Sequence, residues 1–196
     1  MQDEVVRLMP FRSGHFLLES GHHGDKWIDL HLLCLRPEPV ERLAVEIARR
    51  LAKHDLEVVC GPLVEGAFVA LMVASRLRVP FTYAERFEDA QPDVFYPVAY
   101  RVPRVLHAEV RGKRVAIVND VINAGSAVRG TFTDLERCGA NVVAIGALAV
   151  LGEWTSRFAA EKDLALESLA FLPNVFWAPS ECPLCARGVP VTDPLG

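Results

Sequence analysis

Apolar residues recur along this chain in two rhythms, and the rhythms alternate. From Pro37 to His54, Leu43, Ile47 and Leu51 fall at helical spacing with Ala44 and Ala48, behind a proline near the start. This pattern predicts a helix. Glu57–Cys60 reads as a short apolar strand, Gly61–Gly66 as a turn, Ala67–Leu77 as an apolar helix and Pro80–Tyr83 as a further strand. The order then returns as strand 114–118, helix 126–137 and strand 141–149. Two βαβ units of this kind imply a parallel sheet with right-handed crossovers and helices packed on it. Between them, Glu85–Asp93 is charged and breaks structure, and Val94–Val102 alternates aromatically like a hairpin arm. A long excursion between two sheet strands is usually a lid or another functional loop.

The flanks are less regular. Val5, Val6, Leu8, Met9 and Phe11 give residues 4–11 one apolar face, which suits a short helix. His15–Leu18 reads as extended, Ser20–Asp25 as a polar turn, and Trp27–Leu32 alternates like a half-exposed strand. After Leu151, Trp154–Lys162 is predicted helical and Leu166–Leu172 returns as a strand.

Composition narrows the class. A length of 196 residues suits one domain, and 51% hydrophobic with 23% charged residues supports a full core. Net charge is −4, from 21 basic and 25 acidic residues, and no basic block stands out. That argues against a nucleic-acid surface. No apolar run reaches the length of a membrane span. The acidic Met1–Glu4 lacks a leader's apolar core, so neither secretion nor a membrane partner is expected. Five cysteines, an odd number at scattered spacing, suit reduced thiols and a cytoplasmic setting.

One stretch carries chemistry. The apolar run Arg114–Val118 passes directly into Asn119, Asp120, Val121, Ile122, Asn123, Ala124, Gly125, Ser126 and Ala127. Buried strand, polar turn, helix start is the place where open α/β sheets bind ligands. A helix start presents backbone N–H groups to an anion, and Gly125 allows close backbone approach. Asp120 could serve only the helix dipole. Its place between an apolar strand and a glycine-bearing turn favours a ligand role.

This stretch resembles the phosphoribosyl-pyrophosphate (PRPP) motif of type I phosphoribosyltransferases, and its Val-Ile-x-Ala-Gly-x-Ala wording is similar to the orotate phosphoribosyltransferase branch. Gly14–His23 resembles that branch's N-terminal segment, Gly61–Gly66 its pyrophosphate loop, and Cys182–Pro190 the tail of some members. The resemblance spans nearly the whole chain. It implies one domain over 1–196, with a parallel core sheet at about 37–151. It also implies a small hood from about 1–36 with part of 152–196. It further implies a homodimer and Mg²⁺-assisted displacement of pyrophosphate from PRPP by a base nitrogen. By the same resemblance, Asp120 and Asn119 would hold the ribose, with Asp120 reaching Mg²⁺ only through PRPP. Asn123, Ala124, Gly125, Ser126 and Ala127 would cradle the 5′-phosphate. Gly61, Pro62, Leu63, Val64, Glu65 and Gly66 would face pyrophosphate and metal, with Arg86 as a further phosphate contact. Trp27 reads either as packing in the hood, slightly ahead, or as a substrate contact over the base.

The match is uneven on its cationic side. Glu19 stands where the branch usually has lysine, Glu65 where Lys or Gly is common, Asn119 where the first ribose acid is expected, and Asn123 in place of Thr. Gly152 takes the place of an arginine for the orotate carboxylate, and Arg157 is the nearest arginine downstream. Residues 84–100 contain neither lysine nor histidine, leaving Arg86 as the clear cation there, with Arg101, Arg104 and His107 as candidate substitutes. A like-charge contact costs roughly 4 kcal/mol at about 4 Å near a protein surface. The base is therefore open. So is a second class, a non-catalytic or regulatory protein that binds PRPP or a nucleoside monophosphate.

The remaining residues read more blandly. Cys182 and Cys185 have metal-ligand spacing but supply only half a zinc site. With no second such pair in the chain, a structural tail comes ahead of a zinc or redox module, unless two subunits share a metal. His22 and His23 read as surface residues, His31 as structural, and Tyr96 and Tyr100 as part of an arm or a dimer surface.

Overall fold

The computed structural model describes residues 2–9, 11–88 and 98–192. Tyr96, and the Val94–Pro97 part of the expected arm, lie outside them. The elements in chain order begin with helix α1 (Gln2–Leu8), strand β1 (Phe11–Leu17), strand β2 (His23–Ile28), helix α2 (Pro37–Leu51) and strand β3 (Val58–Pro62). Helix α3 (Glu65–Leu77), strands β4 (Phe81–Glu88) and β5 (Val98–Arg101), short helix α4 (His107–Val110) and strand β6 (Arg114–Ile122) follow. The chain continues through α5 (Ser126–Arg137), β7 (Asn141–Leu151), α6 (Trp154–Glu161), β8 (Ala165–Leu172), β9 (Phe176–Trp177) and the short turn of helix α7 (Pro183–Ala186).

Six strands form the central sheet in the order β5-β4-β3-β6-β7-β8. All neighbours run parallel except β4 and β5, whose antiparallel pairing makes the edge hairpin anticipated in the 84–113 excursion. Central strands of a parallel sheet are covered on both faces and read as continuous apolar runs. In β6, every residue from Val115 to Ile122 is buried. Successive side chains supply opposite cores: Val59, Ala116 and Val118 pack with α2 and α3, whereas Val58, Cys60, Val115 and Ile117 pack with α5. On α2, Val40, Leu43, Ala44, Ile47, Ala48 and Leu51 form the buried stripe.

The topology places the site. From β3 the chain crosses through α3 to β4 on one side, while from β6 it crosses through α5 to β7 on the other. Helices α3 and α5 therefore pack on opposite faces. A crevice opens between the ends of β3 and β6, the switch point at which α/β sheets bind ligands.

A second sheet, β1-β2-β9, stands over that crevice. Here two expectations are corrected. The segment Trp27–Leu32 leaves the strand at Ile28 and takes a 3-10 turn over Leu30–Leu35, because Leu33 is drawn into the α2–α3 core. In the expected turn Gly61–Gly66, Gly61 and Pro62 extend β3, and Glu65 already begins α3. The Leu63–Val64 peptide between them is cis. Among the described residues, no helix is long and apolar enough to cross a membrane.

Candidate active site

A cavity of about 400 Å³ fills the crevice. Its walls are the pyrophosphate-like loop from Pro62 to Gly66, the stretch from Asn119 to Val128, and the hood residues Leu18–Ser20, Lys26–Ile28, Leu30 and His31. The expected turn at 119–127 is shorter than read, since β6 runs on to Ile122 and α5 begins at Ser126. Arg86 and Tyr100 close the side formed by the edge hairpin. Every residue singled out in the 119–127 turn thus reaches one cavity, together with Arg86, Trp27 and most of the 61–66 loop; Gly61 stays buried in β3 behind it.

Asp120 is the chemical centre. It is 3% exposed, and its Oδ2 is buried with no hydrogen-bond partner. A buried carboxylate oxygen left unpaired is expensive, which marks it as a place for an incoming donor. Burial pushes its acid form up to about pH 7, with nearby Glu65 adding to the shift. Asn119, also buried, donates its amide to the Val121 carbonyl at 2.9 Å, so Oδ1 remains its acceptor. A side chain on Gly66 would overlap that Oδ1, so the α3 start must be glycine for Asn119 to keep its position.

The cradle is shaped by one backbone angle. Gly125 has φ +84 immediately before α5, and a side chain there would overlap the indole of Trp154. The left-handed conformation and the lack of space both require glycine. Asn123 is held from outside the motif: Asn174 Nδ2 donates to its Oδ1 at 2.7 Å.

The charged positions that looked foreign have specific partners. Glu19 accepts from Arg86 Nε at 2.8 Å and from the Tyr100 hydroxyl at 3.1 Å. Tyr100 lies in the hairpin arm as read, on β5, but it is 5% exposed, which corrects the alternative of a surface residue free to meet a partner subunit. Burial first, then Glu19, raises its phenol well above the usual range. Glu65 Oε1 lies 2.8 Å from His31 Nδ1. His31 is an exposed side chain on the cavity wall, so its reading as a structural strand residue is also corrected.

Three cations expected as substitutes do not line this cavity. Arg101 sits over the Phe87 ring, His107 bonds the Val102 carbonyl, and Arg104 faces a separate surface depression. Arg157 pairs with Glu153 in solvent. Gly152, at φ +68, donates its N–H to the Leu172 carbonyl. Lys26, which the sequence reading missed, does line the cavity from β2. Its position beside Trp27 was the available clue, but the register of the hairpin decides which side it faces.

The tail cysteines also change meaning. Their missing partners are within the same chain: His15 and His23 stand beside Cys182 and Cys185. His23 is 8% exposed, not a surface residue.

A six-stranded, mostly parallel sheet with a glycine-bearing turn at its switch point defines an α/β protein that binds its ligand at the carboxyl ends of the strands. The family described as phosphoribosyl transferase domain matches residues 37–165, and the chain belongs to that family. The orotate phosphoribosyltransferase of Thermotoga maritima is 31% identical over 183 residues, covering 92% of this chain and 89% of its own. That of Pelotomaculum thermopropionicum is 31% identical over 197 residues, covering 98% and 96%. The fold is similar to a solved adenine phosphoribosyltransferase from Thermoanaerobacter pseudethanolicus (TM-score 0.68, 17% identity, 88% and 100% of the two chains). It is also similar to the orotate phosphoribosyltransferase of Aeropyrum pernix (TM-score 0.62, 22% identity, 87% and 93%).

Proposed function

We propose that this protein transfers the phosphoribosyl group of PRPP to a nitrogenous base, as an orotate phosphoribosyltransferase-like enzyme whose base is open. The observation that carries the reading is the unpartnered, buried Asp120 Oδ2 beside the Asn123–Ala127 turn in one cavity. In this reading a base nitrogen bonds to the anomeric carbon as the bond to pyrophosphate breaks. The sugar becomes cation-like while the leaving group gathers negative charge, so the site must serve both signs. Asp120 and the Asn119 Oδ1 accept from the ribose hydroxyls, and the Asp120 carboxylate lies on the side where positive charge develops. The Asn123–Ala127 turn takes the 5′-phosphate at the start of α5. Gly61–Gly66 forms the pyrophosphate side, with Arg86 and Lys26 as the nearby cations. Trp27 offers an aromatic wall for the base.

Mg²⁺ belongs to this reading as a partner of PRPP, with Asp120 and Glu65 as carboxylates of the same cavity beside Glu19, which is already paired with Arg86, and when bound it would offset the charge of departing pyrophosphate. The orphaned Asp120 oxygen suits hydroxyls that such an ion has polarised. A homodimer is also proposed. The exposed Phe68 and Leu71 on α3, beside exposed Leu32 and Leu35, leave an apolar surface near the cavity.

The Glu19–Arg86 pair favours a second reading, because it neutralises a cation that pyrophosphate would use. In that reading the protein binds PRPP or a nucleoside monophosphate without turnover. One experiment separates the two: purified protein, PRPP and Mg²⁺ are assayed for pyrophosphate release over a panel of bases that includes orotate and adenine. Release with any base establishes the transferase. Nucleoside monophosphate binding by calorimetry, with no release across the panel, establishes the binding protein.

A further inference from the structure

The N-terminal hairpin and the C-terminal segment bring four potential metal ligands together outside the cavity. His15 Nε2, His23 Nδ1, Cys182 Sγ and Cys185 Sγ all lie within 4.8 Å of one another. His15 Nε2 is 2.8 Å from His23 Nδ1, 3.5 Å from Cys182 Sγ and 3.7 Å from Cys185 Sγ, and Cys185 Sγ is 3.2 Å from His23 Nδ1. Around a tetrahedral zinc with bonds of about 2.0–2.3 Å, ligand atoms stand about 3.3–3.8 Å apart. The group needs only small shifts to reach that geometry.

Hydrogen bonding alone does not account for the convergence. His15 Nδ1 donates to the Val189 carbonyl at 2.8 Å, which leaves Nε2 with a single lone pair. His23 and both thiols approach that one lone pair. A cation at the centre would instead meet two imidazole lone pairs and two thiolates, each along its own direction. The backbone is also arranged for this. A register shift between Ser13 and Phe16 places His15 and Phe16 inward in succession, as bulges do when they re-aim a side chain. The Thr192 N–H donates to the His15 carbonyl at 2.6 Å, and the bond from His15 to Val189 sets the ring's tautomer and orientation. The other candidate group, His107, Asp134 and Cys138, is already engaged with the Val102 carbonyl and N–H.

We propose that His15, His23, Cys182 and Cys185 bind one Zn²⁺ in a closed structural site that fastens the C-terminal segment to the N-terminal hairpin. Two thiolates and two imidazoles select zinc over hard cations such as Mg²⁺. Four protein ligands leave no open position, so the site is structural and not catalytic. On binding, the two thiols release their protons to solvent, and the two thiolate charges balance the ion. The consequence reaches the cavity, because Leu18, Glu19 and Ser20 lie between the two histidines and form part of its wall. Zinc binding at these four residues does not depend on whether the protein turns over PRPP.

The test uses the full chain, purified without a polyhistidine tag and without chelator, with metals measured by mass spectrometry. About one zinc per chain is expected, falling at least tenfold in a Cys182→Ser, Cys185→Ser double variant. Should that variant fail to fold, the wild-type protein stripped of metal is titrated with Co²⁺. The intense visible bands of tetrahedral cobalt and a thiolate charge-transfer band are expected. Hydrogen exchange in residues 11–28 and 176–192 should accelerate at least tenfold on zinc removal, while β6 keeps its protection. Less than about a tenth of a zinc per chain after incubation with Zn²⁺ and reductant overturns the proposal. So do a Cys182–Cys185 disulfide that persists under those conditions, an octahedral cobalt spectrum, or zinc retained by the double variant.

Discussion

Replacing Asp120 by asparagine should stabilise the free protein while weakening its hold on ribose phosphates. The carboxyl is 3% exposed, has an unpartnered buried oxygen, and is raised from 3.8 to about 7 chiefly by burial. Well below pH 3.8 the group is protonated in both folded and unfolded chains and contributes nothing. As pH rises, the unfolded chain ionises first, so the folded state loses relative stability until about pH 7, after which the penalty is constant. At about 1.4 kcal/mol for each tenfold change in proton affinity, the full penalty is of the order of 4 kcal/mol. It is still only about 2 kcal/mol at pH 5. Asp120→Asn removes the titration. Urea unfolding of both proteins at pH 5 and pH 8 should show the variant's advantage growing by roughly 2–3 kcal/mol between the two conditions. Calorimetry with PRPP and Mg²⁺ should show the opposite order, with affinity reduced at least tenfold. Wild-type binding near pH 7 should also release protons, because ribose hydroxyls favour the ionised carboxylate. Stability curves that stay parallel from pH 5 to pH 8 would refute the assignment of Asp120 as a buried acid with a raised pKa. Equal PRPP affinities would remove it from the ribose site.

Other substitutions probe the walls around it. Gly125→Ala forces a left-handed backbone on alanine and drives a methyl group into Trp154, so a loss of at least about 2 kcal/mol is expected by thermal or urea unfolding; an unchanged midpoint would contradict the geometry. Asn174→Ala removes the donor to Asn123 and should weaken ribose 5-phosphate binding severalfold, for a cost of about 1 kcal/mol, with little effect on unfolding. A calorimetric affinity equal to wild type would show that Asn123 needs no such support. Glu19→Gln relieves the charge facing Arg86 and should raise pyrophosphate affinity severalfold at low salt, with the two proteins converging in high salt. A gain that ignores ionic strength would point away from Arg86.

Much of the architecture is legible locally. The strand at 114–118, the helix at 126–137 and the strand at 141–149 need only hydrophobic period, and β6 and β7 run past those limits by a few residues because both sheet faces are covered. The site stretch 119–127 is equally legible in its order of strand end, glycine and helix start, although the turn itself narrows to residues 123–125 because β6 continues to Ile122. Local pattern failed at Trp27–Leu32, where alternation suggests a strand but core packing of Leu33 takes the segment into a 3-10 turn. It failed again for the acids that looked misplaced. Glu19 and Glu65 were read against absent lysines, whereas the fold supplies Arg86, Tyr100 and His31 as their partners.

By itself, the sequence determined the alternating strands and helices, the glycine at the phosphate-type turn and the carboxylate beside it, because each depends on neighbours a few positions away. Only the tertiary structure decided that Asp120 Oδ2 is left without a partner, that Lys26 faces the cavity, that Asn174 supports Asn123, and that two histidines join the tail cysteines. His15 and Cys185 are separated by 170 positions, and their meeting depends on a bulge in one strand and on where the last turn of chain comes to rest. Contacts of that range follow from packing, which no local periodicity encodes.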